Sequence, residues 1–169
     1  MKWVAIAGGW RKSNQQVEDD VRKIVREIIQ RGVGIVSGGA LRVDYFALDE
    51  ALKSNPSATQ IKIFLPCSLE KYAVHYRMRA HEGVITHELA EQLIEQLTRL
   101  KKVNPDALIE NKNNTVVDKE AYYERITKIV DASDELVAFH VNKSEGTQDT
   151  ITKAEKKGIP VKIFSYTIE

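Results

Sequence analysis

The segment from Ile35 to Leu52 leaves this chain few folds to choose from. An apolar β-branched run, Ile35-Val36, ends abruptly at Ser37-Gly38-Gly39, and Val43, Phe46, Ala47 and Ala51 then recur at helical spacing. A strand, a glycine turn and a helix in direct succession belong to a parallel sheet, whose strands are joined by helical crossovers. The same arrangement leaves backbone N–H groups free at the positive end of a helix, where phosphate and other anions bind. A second unit of this kind opens the chain. Met1 to Ala7 reads as a strand, Gly8-Gly9-Trp10 comes next, and Ser13 is the expected N-cap of the next helix. If the two strands are parallel neighbours, their glycine turns converge at the carboxyl edge of the sheet, where open parallel sheets take ligands.

The rest of the chain keeps the rhythm with one interruption. Val17, Val21, Ile24, Val25, Ile28 and Ile29 form a helical stripe that stops at Gly32. The helix after Gly39 runs to about Ser54, with Asn55-Pro56 as breaker, and Ile61 to Pro66 is a third strand. From Ser68 to Asp118 the alternation pauses. That stretch holds one clear amphipathic helix (Leu89, Leu93, Ile94, Leu97, Leu100), and Val103 to Val117 reads as an exposed polar loop. Helix signals return at Lys119–Ala132 and Gly146–Lys157, and strand signals at Glu135–Phe139 and Pro160–Phe164. The expectation is an α/β, Rossmann-like, doubly wound, mostly parallel sheet of about five strands. It has helices on both faces, a helical insertion at approximately 68–118 after the third strand, and a single domain over 1–169.

Charge and composition narrow the function. The formal net charge is +1, which does not by itself make a nucleic-acid surface but permits a local basic patch. A single cysteine, Cys67, rules out an intrachain disulfide and fits a reducing compartment. No apolar run is long enough to cross a bilayer and no signal peptide is recognised, so a cytoplasmic location without membrane attachment is expected. His75, His81, His87 and His140 show no metal-ligand spacing, His87-Glu88 lacks the second histidine of a zincin helix, and no nucleophile–base arrangement is readable. Neither a metal, a cofactor nor a catalytic residue is assigned, and the chain reads as a binding protein rather than an enzyme.

Three segments then carry a resemblance. Ser37-Gly38-Gly39-Ala40 with Asp44, Ala47 and Ala51-Leu52 resembles the S-G-x-A-x-G-I-D-x-x-A-H-x-x-A-L segment of the DNA-processing protein A (DprA) family. Arg125 to Val137, with Ser133-Asp134, is similar to that family's R-N-R-I-I-x-x-L-S-D segment. Glu145-Gly146-Thr147 with Thr150, Ala154, Gly158 and Val161 resembles its S-G-T-x-x-T segment and the A, G and V positions C-terminal to it. All three align without internal gaps and in the family's order. The wider SLOG group includes LOG-type phosphoribohydrolases. This sequence departs from these patterns: Arg42 stands where DprA has glycine, Leu48 where it has histidine, Ile126 where it has asparagine and Glu145 where it has serine. Thr150 stands where a LOG enzyme has its glutamate.

A phosphorylated ligand would draw on residues from all three glycine turns. Gly8, Gly9, Gly38, Gly39 and Gly146 offer backbone donors, and Ser37 and Thr147 add hydroxyls. Arg42 is ill-placed at a helix start unless an anion faces it, and Arg125 gains from its match to the DprA arginine. Arg77 and Arg79 lie beyond the third strand and would share a face in extended chain. Asp44 reads chiefly as a cap or ion-pair partner, with a ribose hydroxyl as the other option. Trp10 either packs under a neighbour or serves as a stacking platform, packing being the ordinary role. The leading expectation is a nucleotide-like small molecule bound at the strand ends. The alternative, which the resemblance implies, is single-stranded DNA. A LOG-like phosphoribohydrolase is disfavoured by Thr150. The leucine stripe of the insertion is expected to be a homodimer contact or a lid on its own domain, the related SLOG proteins favouring the dimer.

Overall fold

Strand β2 (Gly34–Gly38) is buried at every position, as a parallel strand covered by helices on both sides must be. Beside it lies β1 (Trp3–Gly8), and the computed structural model, which describes residues 1–169, arranges six parallel strands in the order β4-β3-β2-β1-β5-β6. Here β3 is Ile61–Leu65, β4 Leu108–Glu110, β5 Glu135–Val141 and β6 Val161–Tyr166. The chain winds outward from β1 through β2, β3 and β4, then restarts on the other side with β5 and β6. The reversal therefore falls between β1 and β5, whose carboxyl ends lie in register at Gly8 and Phe139.

Helices α1 (Gln15–Gln30), α2 (Val43–Ser54) and α4 (His87–Val103) join the core on one face, with Val17, Val21 and Val25 on Val4, Ile6 and Ile35. Helices α5 (Lys119–Asp131) and α6 (Glu145–Lys157) cover the other, with Ile129, Val130, Ile151 and Ala154 on Ala5, Val36 and Ala138. The N-cap of α1 is Asn14 rather than Ser13: the Asn14 side chain accepts the Val17 N–H at 3.0 Å. Both residue types suit an N-cap, and the helix begins at Gln15, one residue later than expected.

The interruption differs from its expectation in two respects. Residues Leu69–His81 form a helix, α3, capped by the Ser68 hydroxyl on the Lys71 N–H. Its buried positions are Tyr72, Ala73, Tyr76 and Ala80 while Val74 and Met78 face solvent, so apolarity does not trace one clean stripe. Arg77 and Arg79 thus ride on a helix, exposed and ion-paired to Glu91 and Glu82. The loop expected at 103–117 holds a 3-10 turn, Pro105–Ala107, and the edge strand β4, which pairs with β3. Three residues are too few for a period to show, which is why about five strands become six.

Helix α4 settles the question of its leucines. Leu93, Leu97 and Leu100 are wholly buried in the chain's own core, and Leu97 reaches the glycine turn after β2. A homodimer loses the surface on which that expectation rested. Leu97→Ala should therefore cost stability, by about 3 kcal/mol as for other fully buried leucines, measured as the urea midpoint multiplied by an unchanged slope. Replacing Leu93 and Leu97 by glutamate should unfold the chain rather than release a folded monomer.

Arg42 carries the most unusual backbone in the fold, with φ 66° and ψ −112° just before α2. Only glycine adopts that region without strain. Arg42→Gly should raise stability by about 1 kcal/mol, the relieved strain exceeding glycine's entropy cost in the unfolded chain. Thermal unfolding checks the sign.

Candidate functional site

The sequence motifs converge where the winding reverses. Gly8 ends β1 against the start of α2: a methyl group there would sit 2.4 Å from the Val43 side chain. Gly9 faces the loop after β5, with Ser144 Oγ 3.7 Å from the place its Cβ would occupy. Ser144 in turn donates to Thr147 Oγ1 at 2.8 Å in the first turn of α6. Around Gly146 there is open space. The turns after β1 and β5 thus form one lip over the reversal point, with the α6 N-terminus behind it. Thr147 is buried, and its hydroxyl accepts from Ser144.

The turn after β2 is braced from within. The Ser37 hydroxyl lies 3.0 Å from Ile6 O and 2.9 Å from Asp44 Oδ1, and the Ala40 N–H donates to Asp44 Oδ2 at 3.2 Å. Ser37 is fully buried, and its hydroxyl braces the turn. Asp44 acts as the brace that its capping role suggested. Burial dominates its titration and pushes the carboxyl up to about 6, against the pull of Arg125 and the hydrogen bonds from Ser37 and Ala40.

Arg125 sits on the far side of the same turn. A Cβ on Gly38 would lie 2.9 Å from Asp44 Oδ2 and 3.0 Å from Arg125 Cζ, so both charged groups reach the space that the missing side chain leaves free. The guanidinium stacks on Tyr122, 5.0 Å from the ring centroid, and donates to Tyr72 Oη at 3.4 Å. Its Nε is buried with no acceptor. The Nε of Arg42 is likewise buried and unpartnered, but that residue borders a small cleft lined by Tyr45, Phe46, Leu89 and Gln92, away from Arg125. Sequence reasoning places both arginines near the turn. It misses Tyr72, His75 and Tyr76, because no apolar period marks α3 as a helix, and it misses Tyr122, which lies on the expected helix α5 but carries no signal that it meets Arg125.

Trp10 is exposed, at 38% of its surface, rather than packed under a neighbour, and Arg11 stacks on it with Cζ 5.2 Å from the ring centroid. The connectors that leave the strand carboxyl ends and enter the next helices carry five cations, Arg11, Lys12, Arg42, Lys112 and Lys143, against one carboxylate, Asp118, itself the N-cap of α5. A chain of net charge +1 therefore concentrates positive charge on one face. Thr150, at the position of the LOG glutamate, is buried and donates to Gly146 O at 2.9 Å. It offers no carboxylate to this site.

The pH dependence of Asp44 comes from its position. Its folded pKa of about 6 lies above the ordinary value near 4, so the folded state holds the proton more tightly and stability falls as pH rises between the two values. Wild type should be about 1 kcal/mol less stable at pH 7.5 than at pH 5 through this group, and Asp44→Asn should abolish that difference in urea titrations at the two pH values.

The whole chain, residues 1–169, matches the family model described as DNA recombination-mediator protein A. No curated protein matches it. Among solved structures, DNA processing protein A from Helicobacter pylori, described for its single-stranded DNA binding mode, superposes with a TM-score of 0.71 at 20% identity, covering 96% of this chain and 64% of that one. DprA from Streptococcus pneumoniae gives 0.66 at 16% identity, covering 96% of this chain and 50% of that one. The molybdenum cofactor carrier protein from Chlamydomonas reinhardtii gives 0.57 at 14% identity, covering 96% and 75%. These identities show a shared fold, and the chain spans 64% and 50% of the length of the two DNA processing proteins. The family match over its full length is what places it: this chain belongs to the DNA recombination-mediator protein A family.

Proposed function

We propose that this chain binds the sugar–phosphate backbone of single-stranded DNA across the carboxyl ends of β1, β2 and β5. The observation that carries the reading is the exposed Trp10–Arg11 stack on the lip formed by the converging turns of β1 and β5. An aromatic platform beside a cationic, N–H-rich edge suits a strand whose bases stack and whose phosphates run over the backbone donors. Arg11, Lys12 and Lys143 supply charge along that path, and the α6 N-terminus adds a positive end. Family membership supports the same reading, and so does the single-stranded DNA binding of the Helicobacter pylori relative. A small nucleotide shares this chemistry in part, but the open space around Gly146 suits a strand passing over the lip better than an enclosed molecule. Phosphoribohydrolase activity is not expected, since the Thr150 hydroxyl is bonded to the helix backbone.

Fluorescence anisotropy with a labelled oligothymidylate tests the proposal. Affinity should fall with salt at a log–log slope of roughly −0.7 per phosphate neutralised, and Arg11→Ala with Lys12→Ala should flatten that slope by about 1.4. Trp10→Ala should weaken binding by about tenfold, within the range for one stacked base. A response independent of salt would count decisively against the reading.

A further inference from the structure

Arg42 combines three unfavourable features at one position. Its backbone, at φ 66° and ψ −112°, lies where only glycine is unstrained, and glycine is what the related DprA pattern has there. Its charge stands at the start of α2, the positive end of that helix. Its Nε is buried without an acceptor, and it takes part in none of the chain's ion pairs. The side chain is half-buried, and its two terminal nitrogens stay open to solvent with no acceptor from the chain. A strained residue whose fork is left free at its end is placed to meet a group from outside the chain.

The cleft that Arg42 borders has a volume of about 100 Å³ and lies near the starts of α2 and α4, with Leu41, Tyr45, Phe46, Leu89 and Gln92 as its other walls. That is the room of about three waters, enough for a small ring or a short aliphatic chain. The walls are held in place. The buried Gln96 side chain on α4 donates to Tyr45 O at 2.9 Å and ties the two helices together, and the Tyr45 and Phe46 rings meet edge to face. Apolar and aromatic walls around one guanidinium suit an organic anion better than a bare inorganic one, whose hydration they do not replace. The surroundings also limit the charge. Asp49 is held by Arg22 and Lys53, Glu88 accepts from the Gln92 amide at 3.4 Å, and Asp49 and Glu95 both lie close enough to act on the Tyr45 phenol. One cation beside these carboxylates suits a single negative charge and disfavours a run of phosphates.

We infer that the Arg42 cleft is a site for a small organic monocarboxylate, its two oxygens on the terminal nitrogens of the guanidinium and its ring or chain against Phe46 and Leu89. The site is independent of the DNA binding proposed above. Calorimetry with benzoate and butyrate, each against its neutral amide, benzamide and butyramide, tests it. In wild type at least one acid should bind about tenfold more tightly than its amide, the scale of one charge-assisted hydrogen-bonded contact. That ratio should approach unity in Arg42→Gly. The fold of this variant is expected to be the more stable one, so a lost preference is not a sign of unfolding. In Leu89→Trp, which fills the cleft from α4 and leaves Arg42 in place, affinity for the acid should fall about tenfold, with thermal unfolding confirming that the variant is folded. Ratios of unity in wild type, or no binding by either acid, overturn the inference. A preference that survives either variant places the site elsewhere and overturns it too. Inorganic phosphate that displaces the acid at equal concentration shows that the walls select nothing, and the carboxylate assignment falls. An oligothymidylate salt slope flattened by about 0.7 in Arg42→Gly, with no acid preference in wild type, makes Arg42 a phosphate contact of the strand and likewise overturns the inference.

Discussion

A single buried carboxylate holds together the part of this molecule that matters for binding. Asp44 ties the Ser37 hydroxyl and the Ala40 N–H to the first turn of α2, and the Ser37-Gly38-Gly39 turn takes its shape from that brace. The brace fixes where α2 begins, and Val43 then packs so closely on the end of β1 that no side chain fits at Gly8. It also leaves Arg42 in a backbone conformation suited to glycine, at the position where the related family pattern has one. The carboxylate is uneasy in its role, since burial favours its protonated form, and the hydrogen bonds it receives only partly compensate.

The same turn divides the site into two chemically distinct regions. On one side, the lip of β1 and β5 is open, cationic and aromatic, with Trp10 and Arg11 toward solvent. On the other, Arg125 stands among the phenols of α3 and α5. Gly38 lies at their junction, and its missing side chain leaves the space into which both Asp44 and Arg125 reach. A near-neutral chain achieves this by asymmetry rather than by excess charge: its strand-end connectors are basic, while elsewhere carboxylates pair with cations, as in the Arg22, Asp49, Glu50 and Arg26 cluster between α1 and α2.

Helix α3 brings Tyr72 to Arg125, and it is where the sequence is hardest to read. Its inward residues are tyrosines and alanines and its outward ones include Val74 and Met78, so hydrophobicity does not separate its faces. Helix α4, with leucines at regular spacing, is plain in the sequence. What those leucines pack against is not, because a stripe records that it must be covered and not by what. The covering is the chain's own core, down to the turn at Gly39.

The parallel sheet, the order of strands and helices from β1 through α2 and again from α5 to β6, and the glycine turns at the strand ends were determined by the sequence itself. These features are local: they depend on periodicity, β-branching and glycine's conformational range, each acting over a few residues. Tertiary structure alone decided the rest. It engaged the Ser37 and Thr147 hydroxyls internally, turned Trp10 outward, carried Arg77 and Arg79 away on a helix face, and added β4 as a three-residue edge. It also gathered Tyr72, His75, Tyr122 and Arg125, which lie about fifty residues apart in two segments, around one unpartnered guanidinium. Whether a polar side chain meets a ligand or a neighbour depends on which groups reach it through space, and spacing along the chain carries no record of that.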